Sequence, residues 1–578
     1  MERVRALGIA SSAFVLGLTA LVACGAEKRS AFEDELQPTD PGLGGDGPGG
    51  NLPVDGGFGG PDPFPPEDET EDPTTCEKAA QKKSYVGCDY WPTVTANPVW
   101  SIFDYAVVVA NTGTTDAQVT VTGPNEVRKE VTVPGGELRK IYLPWVKDLK
   151  GPDFDECTSV RAPNATVLAQ SGAYHLVSSQ PVIVYQFNAL EYRGAGGEDP
   201  SGGEKDWSAC PGTAIGCRQG IGSPPVKVGC FSFSNDASLL LPSTAMTGTY
   251  RVTAHPGESI GMYAKIPLVA TALSITATQP DTKVTVALSP TASVIASAAD
   301  TIPETPGGET LRLTLSNAGD VVQLLTPQGD DYDFSGSLVN ADKPVQVIAS
   351  SPCINIPPGK PACDHIEETV LPAETLGRHY VVTPPTGPKG TAVKHEVRLY
   401  GNKDGTSLTY RPAKPEGCPD TLQAGQTVAC GLVAEPFEIE GTNEFGVATF
   451  LLGASAYDSR DHKGDPDQTT FASVEQFRTK YVFLAPNDYP LLFADITAPA
   501  DAEIVLDGQP LSAPWTPIGD GPFGIHRVDL TQTGKDGAHT LTAKKPVGVQ
   551  VLGFGDNTSF QYPAGLNLKL ISAPPVTK

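Results

Sequence analysis

The phrase that decides the fold is Ser335-Gly-Ser-Leu-Val-Asn-Ala-Asp-Lys-Pro344-Val-Gln-Val347, which returns along the chain. The other copies are Ser171-Gly-Ala-Tyr-His-Leu-Val-Ser-Ser-Gln-Pro181-Val-Ile-Val184 and Gly537-Ala-His-Thr-Leu-Thr-Ala-Lys-Lys-Pro546-Val-Gly-Val549, with a degenerate fourth at Asn443-Glu-Phe-Gly-Val447. The three full copies place a polar turn and then a proline between apolar runs. This pattern predicts a hairpin whose proline begins the return strand, where its missing N–H costs no ladder bond.

Repetition at roughly one domain length predicts tandem β modules. Between the copies lie short β-branched runs such as Lys283-Val-Thr-Val-Ala-Leu288, and no stretch sustains a helical period. The predicted fold class is all-β, with tandem β-sandwich-like repeat modules of about seven or eight strands each. A β-propeller is the alternative, because a period of about 100 residues also fits two blades of about 40–50 residues. The expected modules are residues 76–235, 236–364, 365–470 and 471–578.

Composition narrows the class of protein. The 578 residues include 61 Gly and 54 Pro and carry a formal charge of −26. The Gly and Pro content favours many turns between short strands over long helices. The acidic balance argues against nucleic acid as a partner, since phosphate backbones are bound through clustered Lys and Arg.

The N-terminus resembles an export signal. A basic start and a short apolar stretch lead to Leu21-Val-Ala-Cys-Gly25, which fits the bacterial lipoprotein pattern. We expect residues 1–24 to be signal peptide and lipobox, Cys24 to carry the lipid with palmitate among its acyl chains, and residues 25–75 to be a disordered Gly/Pro-rich acidic tether. The expected location is the bacterial cell envelope, lipid-anchored and most simply at the outer membrane.

The remaining ten cysteines form an even set, which in an exported chain predicts disulfides. The expected local pairs are Cys76–Cys88, Cys353–Cys363 and Cys418–Cys430, while Cys157, Cys210, Cys217 and Cys230 should form two bridges among themselves. No CxxC occurs and no Cys/His quartet has zinc-finger spacing, so we expect no metal or other cofactor there.

An ordered series of motifs resembles a known family. It runs through Ser351-Pro-Cys-Ile-Asn-Ile-Pro357, Cys363-Asp-His-Ile-Glu-Glu368, Leu376-Gly-Arg-His-Tyr-Val-Val382, Trp515-Thr-Pro-Ile518 and Gly548-Val-Gln-Val-Leu-Gly-Phe-Gly555. The series is similar to the IgGFc-binding protein N-terminal domain family, best over residues 230–570. The resemblance implies an extracellular β-rich interaction module. It carries no residue motif for immunoglobulin binding, so that activity is not implied.

Two clusters of polar residues are candidate sites. On a strand, His365 and Glu367 would share one face and Asp364 and Glu368 the other, which divides the ligands and favours a structural role. The second cluster has the oxygen spacing of a calcium loop, but no helices flank it and the other repeats lack its acids, which favours a chance match. Its members are Asp331, Asp333, Ser335 and Asp342.

No enzyme signature occurs: G-x-S-x-G, HExxH and Walker A patterns are all missing from the sequence. Tryptophans could form a glycan-binding platform, although burial in a sandwich core is commoner. The leading hypothesis is a membrane-anchored surface lipoprotein that acts as a non-enzymatic binding or adhesion module for a protein or glycan ligand. A self-associating structural scaffold of the envelope is the alternative, and a cryptic hydrolase is third. The tryptophans considered for such a platform are Trp91, Trp100, Trp145 and Trp207.

Overall fold

The computed structural model describes residues 72–575 except 156–162, 200–202, 204, 215, 219–224, 228, 261–265, 361–362, 458–461, 532 and 535–536. The predicted all-β class is confirmed. Among these residues the helices are short, and none has the length and apolar character needed to cross a bilayer. They are the α-helices Cys76–Lys82, Lys147–Lys150, Pro211–Ala214 and Ala454–Tyr457 and the 3-10 turns Pro124–Glu126, Trp207–Ala209, Ala373–Thr375 and Val474–Gln476.

The strands fall into four modules. Module 1 is formed by β1 (Gly87–Tyr90), β2 (Tyr105–Ala110), β3 (Ala117–Gly123), β4 (Val127–Val133), β5 (Leu138–Leu143), β6 (Val167–Ala169), β7 (His175–Asn188), β8 (Gly216–Arg218), β9 (Pro225–Lys227) and β10 (Ala237–Leu239). Module 2 is formed by β11 (Thr249–Arg251), β12 (Glu258–Ile260), β13 (Ile266–Val269), β14 (Ala272–Ala277), β15 (Thr282–Ala287), β16 (Thr310–Leu315), β17 (Val321–Leu325), β18 (Leu338–Ala341), β19 (Val345–Ile354) and β20 (Asp364–Thr369).

The second half of the chain forms two further modules of the same kind. Module 3 is formed by β21 (His379–Val382), β22 (His395–Gly401), β23 (Thr406–Arg411), β24 (Thr421–Leu422), β25 (Thr427–Val433), β26 (Phe437–Gly441), β27 (Phe445–Leu451) and β28 (Asp467–Thr470). Module 4 is formed by β29 (Arg478–Leu484), β30 (Leu491–Pro499), β31 (Val505–Leu506), β32 (Gln509–Pro510), β33 (Trp515–Pro517), β34 (Phe523–Asp529), β35 (Ala538–Gly555) and β36 (Thr558–Pro563).

Each module pairs its strands in the same order, in two antiparallel sheets. The outer sheets are β1-β7-β3-β4, β11-β18-β15-β16, β21-β26-β23-β24 and β29-β35-β31-β32, and the inner sheets contain β5-β2-β7-β10, β17-β14-β19-β20, β25-β22-β27-β28 and β34-β30-β35-β36. In module 2, outer-sheet Val284 and Val339 share one hydrophobic core with inner-sheet Ile275 and Val347. Each module is therefore a small sandwich whose two sheets bury the apolar face of their alternating strands.

The hairpin prediction for the repeated phrase is wrong. In module 2, β18 pairs with β11 and β15, whereas β19 pairs with β14 and β20, and Pro344 lies between them. In β7 and β35 the same crossing occurs within one continuous strand. The proline marks the point where the strand leaves the outer sheet and enters the inner one, and its missing N–H is tolerated there because the ladder is interrupted. We call this element the crossing strand.

A buried tyrosine fixes each crossing strand at its bend. The tyrosine hydroxyl accepts the N–H of the residue three positions earlier and donates to the carbonyl of the residue after the proline or, in module 3, of the first residue of β27. The donor bonds are Tyr90 to Val182 (2.6 Å), Tyr250 to Val345 (2.6 Å), Tyr380 to Phe445 (2.7 Å) and Tyr481 to Val547. We call this arrangement the tyrosine pin.

The last strand of each inner sheet lies at the centre of a closed ring. These axial strands are β10, β20, β28 and β36; β10 contacts β20 and β36, and β28 contacts the same two. The four inner sheets therefore resemble the blades of a four-bladed propeller, the alternative that the sequence left open, with each blade backed by its outer sheet. Axial strand β10 begins after residue 235 and β20 begins at residue 364, the points where the sequence-based modules end.

The ring is closed by contacts between its first and last modules. Tyr185 and Phe187 of module 1 pack against Phe560 and Tyr562 of module 4 in one apolar core. The residues just before the first helix join this contact: Asp72 makes an ion pair of 2.6 Å with buried Arg478. Modules 1 and 2 are joined differently, because β6 adds to the edge of the module 2 sheet at β17.

Among the described residues, disulfides close loops in modules 1, 2 and 3. The three expected local bridges, Cys76–Cys88, Cys353–Cys363 and Cys418–Cys430, are formed. Cys210 pairs with Cys230, which is one of the bridges expected among the remaining four. Cys157 lies outside the described residues, as do Cys24 and residues 25–71 of the expected tether.

Candidate functional site

The motif Asp364-His365-Ile366-Glu367-Glu368 forms axial strand β20, and the structure buries both of its faces. His365 and Glu367 share one face, as the two-residue period of a strand predicts, with 3.6 Å between Nε2 and Oε2. That face is turned to module 1, while Glu368 on the other face contacts module 3. The motif therefore lies between modules and not at the surface.

Glu367 is held by neutral donors. Its carboxylate accepts hydrogen bonds from Thr95 Oγ1 (2.7 Å), Asn188 Nδ2 (2.8 Å), Gln186 Nε2 (2.9 Å) and Ser238 Oγ (3.2 Å). All four donors belong to module 1, so one buried carboxylate joins the first two modules. A carboxylate without such partners would be costly at this depth.

Side chains join each axial strand to the next, and we call these contacts the axial clasp. They replace the backbone ladder that the axial strands do not share. The contacts are Glu367 N–H to Asp236 Oδ2 (2.6 Å), Thr470 N–H to Glu368 Oε2 (3.3 Å), Gln561 N–H to Asp467 Oδ2 (2.8 Å) and the Thr558 hydroxyl to Asn235 Oδ1 (3.0 Å). The acids thus bind modules 1, 2, 3 and 4 in sequence and the last contact returns to module 1.

Burial makes these acids hard to ionise. It raises the pKa of Asp236 well above its ordinary range, and the neighbouring Asp467 raises it further; the two carboxyl groups are hydrogen-bonded to each other. Burial likewise raises the pKa of Asp467 and Glu368, and it raises that of Asp364, to which Asp465 adds. Acid–base catalysis needs a substrate within hydrogen-bond reach, and these side chains are at most 2% exposed. Among the described residues, no three or more His, Cys, Asp or Glu side chains are grouped so as to hold a metal ion.

The residues with the oxygen spacing of a calcium loop make other contacts in the structure. Asp333 accepts the Ser335 N–H (2.8 Å) and forms an ion pair of 3.0 Å with Arg398 of module 3. Ser335 Oγ donates to the Ala254 carbonyl (3.0 Å). Asp342 accepts the Lys283 N–H (2.8 Å) on an exposed turn, and Asp331 is exposed. These oxygens serve the fold of module 2 and its contact with module 3.

The tryptophans of the sequence analysis are mostly core residues. Trp100 and Trp145 are buried in module 1, and Trp91 is buried and stacks on His175 at 4.2 Å between ring centroids. His175 in turn contacts Asp89 at 2.7 Å beside an open hollow of about 630 Å³. Trp207 is the half-buried member.

An apolar groove opens between modules 3 and 4, with a volume of about 520 Å³. Four prolines contribute to its lining, namely Pro412, Pro415, Pro436 and Pro517. Leu432 lines it as well and is 47% exposed, one of few large apolar side chains so exposed among the described residues. Lys414, Glu416 and Glu435 place charges in the same lining. An apolar centre with charged groups around it is typical of a protein-binding surface.

Sequence reasoning missed this groove because a β-bulge exposes Leu432. The register of β25 against β22 shifts by one residue at Cys430, where Val397 pairs with Gly431 and Arg398 with Ala429. The extra residue changes which side chains of the strand face outward. Gly431, with φ +78°, was the one local signal, because such a conformation favours glycine at a bulge.

A family model and a curated relative point to the same family. The family model described as IgGFc binding protein matches residues 236–553, more than half of the chain. The human "IgGFc-binding protein" is 26% identical over 251 residues, which are 43% of this chain and 4% of that protein. A crystal structure of a tetra-tandem repeat in the extending region of a large adhesion protein covers 83% of this chain and 98% of its own, at 11% identity and a TM-score of 0.08, too low to carry a structural argument.

Proposed function

Because the chain belongs to the IgGFc-binding protein family, we propose that it is a lipid-anchored protein of the bacterial cell surface that binds an extracellular protein without enzymatic action. The observation that carries the proposal is the apolar groove between modules 3 and 4, which lies within the family-matched segment. The four-module ring is a rigid frame for such a surface, because buried clasps and apolar contacts hold its modules together. The carboxyl groups of the axial strands are buried in that frame and out of reach of a substrate.

Leu432 is the residue on which binding is tested. The side chains whose replacement costs more than about 1 kcal/mol of binding free energy cluster near the centre of an interface. We expect Leu432→Asp to weaken binding at least about 10-fold, since a carboxylate in the groove must be desolvated in the complex. The measurement is surface plasmon resonance of the full-length protein against immunoglobulin G Fc and a panel of secreted glycoproteins.

Val177→Asp is the matched control. Val177 is 43% exposed, lies in module 1 outside the family-matched segment, and receives the same change of charge and size. The Val177→Asp variant should bind with the same affinity as the wild type. Absence of binding to every protein in the panel would refute a protein-binding function. Equal affinity of the two variants would show that the groove is not the binding site.

The proposed anchor depends on Cys24. We expect Cys24→Ala to move the protein from the membrane fraction to the soluble fraction and to abolish incorporation of labelled palmitate in a bacterial host, because the thiol carries the lipid. Fractionation and autoradiography measure both effects, with Cys76→Ala as a cysteine control outside the lipobox. Palmitate labelling that survives the change at Cys24 would exclude this anchor.

A further inference from the structure

Three ionisable side chains meet beside the start of β2, away from the ring axis and from the groove. Lys205 Nζ lies 2.5 Å from Asp104 Oδ2 and donates to the Ile102 carbonyl at 2.7 Å. The side chains of Lys205 and Asp104 are 8% and 18% exposed. An amine and a carboxylate held this close, and largely away from water, are within reach of reaction with each other.

Glu191 completes the group. It follows β7 and is 1% exposed, and its Oε2 accepts the Asp104 N–H at 2.9 Å. Burial raises the pKa of Glu191 to about 8, and the neighbouring Asp104 carboxyl, to which it is hydrogen-bonded, contributes. Glu191 is therefore mostly protonated at neutral pH and able to donate a hydrogen bond to an Asp104 oxygen.

Gly197 shows how tightly the three side chains converge. A Cβ at this glycine, which has φ +79°, would lie 2.5 Å from Glu191 Oε1, 3.0 Å from Asp104 Oδ2 and 3.2 Å from Lys205 Cε. Any larger residue would displace the three side chains. The backbone of Gly197 thus covers the group.

Aromatic side chains form another wall. The Trp207 ring lies 5.0 Å from Lys205 Nζ and 5.0 Å from the Phe103 ring. Together with the backbone of Gly197, these rings shield the Lys205 side chain, which is 8% exposed.

We propose that Lys205 and Asp104 condense to an intramolecular amide, with Glu191 as the proton-transferring catalytic residue. Proton transfer within the pair gives the free amine and the carboxylic acid. Lys205 Nζ then attacks Asp104 Cγ, and Glu191 hydrogen-bonds the oxygen on which negative charge develops. The Nζ–Cγ bond forms and the bond from Cγ to one oxygen breaks. That oxygen leaves as water with two protons that both began on the ammonium: the one transferred within the pair, and a second that nitrogen loses after the attack and that passes through Glu191. Glu191 ends as it began, and no oxidant or other co-reactant is required.

The amide would join parts of module 1 that are distant in sequence. It links the start of β2 to the long loop after β7, which also carries the Cys210–Cys230 disulfide. Unlike a disulfide, this link is not cleaved by reductants. The outer surface of module 1 would then keep its loop under reducing conditions.

Peptide mapping of the full-length protein tests the proposal directly. After reduction, alkylation and trypsin, the wild type should give peptide 84–128 joined to peptide 194–218, with a mass equal to their sum less one water, and no cleavage after Lys205. Lys205→Arg should give peptide 84–128 alone. Quantitative recovery of free 84–128 together with cleavage after Lys205 in the wild type would overturn the proposal.

Two further variants separate chemistry from folding. Glu191→Gln keeps both reacting groups, and we expect it to lower the yield of the joined peptide at least about 10-fold, in line with loss of acid–base assistance. Lys129 forms an exposed ion pair of 3.0 Å with Glu198. Lys129→Arg alters this pair and should leave the joined peptide unchanged. An undiminished yield in Glu191→Gln would contradict the role of that residue, and loss of the joined peptide in Lys129→Arg would contradict the assignment to Lys205.

Discussion

The tyrosine pin holds the crossing strand with one buried hydroxyl. Burial raises the pKa of Tyr380 well above its usual range, so its O–H remains a donor at every physiological pH. The hydroxyl accepts from Gly377 N–H at 3.1 Å and donates to the Phe445 carbonyl at 2.7 Å. Both bonds lie where module 3 passes from its outer to its inner sheet. The ladder is interrupted at this point, and the hydroxyl takes the place of a strand partner.

Tyr380→Phe should therefore destabilise the protein while keeping the ring of the side chain in its core. We expect the free energy of unfolding to fall by about 1–3 kcal/mol, because a buried donor and a buried acceptor lose a partner. Urea unfolding followed by tryptophan fluorescence measures the change. Tyr332→Phe, at a half-buried tyrosine outside any pin, should change it by less than about 0.5 kcal/mol. A loss at Tyr380 no larger than this would show that the pin does not stabilise the bend.

At the scale of elements, the sequence predicted where strands lie better than which strands pair. The apolar alternation around Pro344 is local, and β18 and β19 are strands as expected. Whether consecutive strands form a hairpin or enter different sheets depends on partners outside the phrase, namely β15 and β14. Local pattern carries no information about that choice. The sequence of the crossing strand therefore resembles that of a hairpin.

The axial strands show the same division. The two faces of β20 follow from its two-residue period, and His365 and Glu367 do share one. What each face meets depends on Asn188 of module 1 and Thr470 of module 3, more than 100 residues away in either direction. The short-loop disulfides were predictable because their partners are near in sequence. The groove at Leu432 was not, because it needs both a bulge and the neighbouring module.

At the scale of the whole molecule, burial of carboxyl groups at the ring axis links stability to pH. A carboxyl whose pKa is raised in the folded state keeps its proton there but loses it on unfolding, so the folded form binds more protons between the ordinary pKa of 3.8 and the raised value. Stability from such groups is complete at low pH and falls as pH rises through this window. Asp236 and Asp467 interact with each other and with Glu367, and Asp467 also acts on Asp364 and Tyr489. Among the described residues, the groups that shift the pKa of the two acids are themselves acidic or neutral.

Asp467→Asn should flatten this dependence. The amide oxygen can still accept the Gln561 N–H, while the amide nitrogen can donate to Asp236 without a shared proton. We expect the wild type to lose unfolding free energy as pH rises above the ordinary carboxyl pKa of 3.8, by about 1.4 kcal/mol per pH unit for each such carboxyl, and the variant to lose less and so become the more stable protein as pH rises. Urea unfolding across this range measures it. Asp342→Asn, a change at an exposed carboxylate that accepts a backbone N–H, should leave the wild-type profile intact. Parallel profiles for the wild type and Asp467→Asn would show that the axial acids ionise without cost and that the ring is held by its apolar contacts alone.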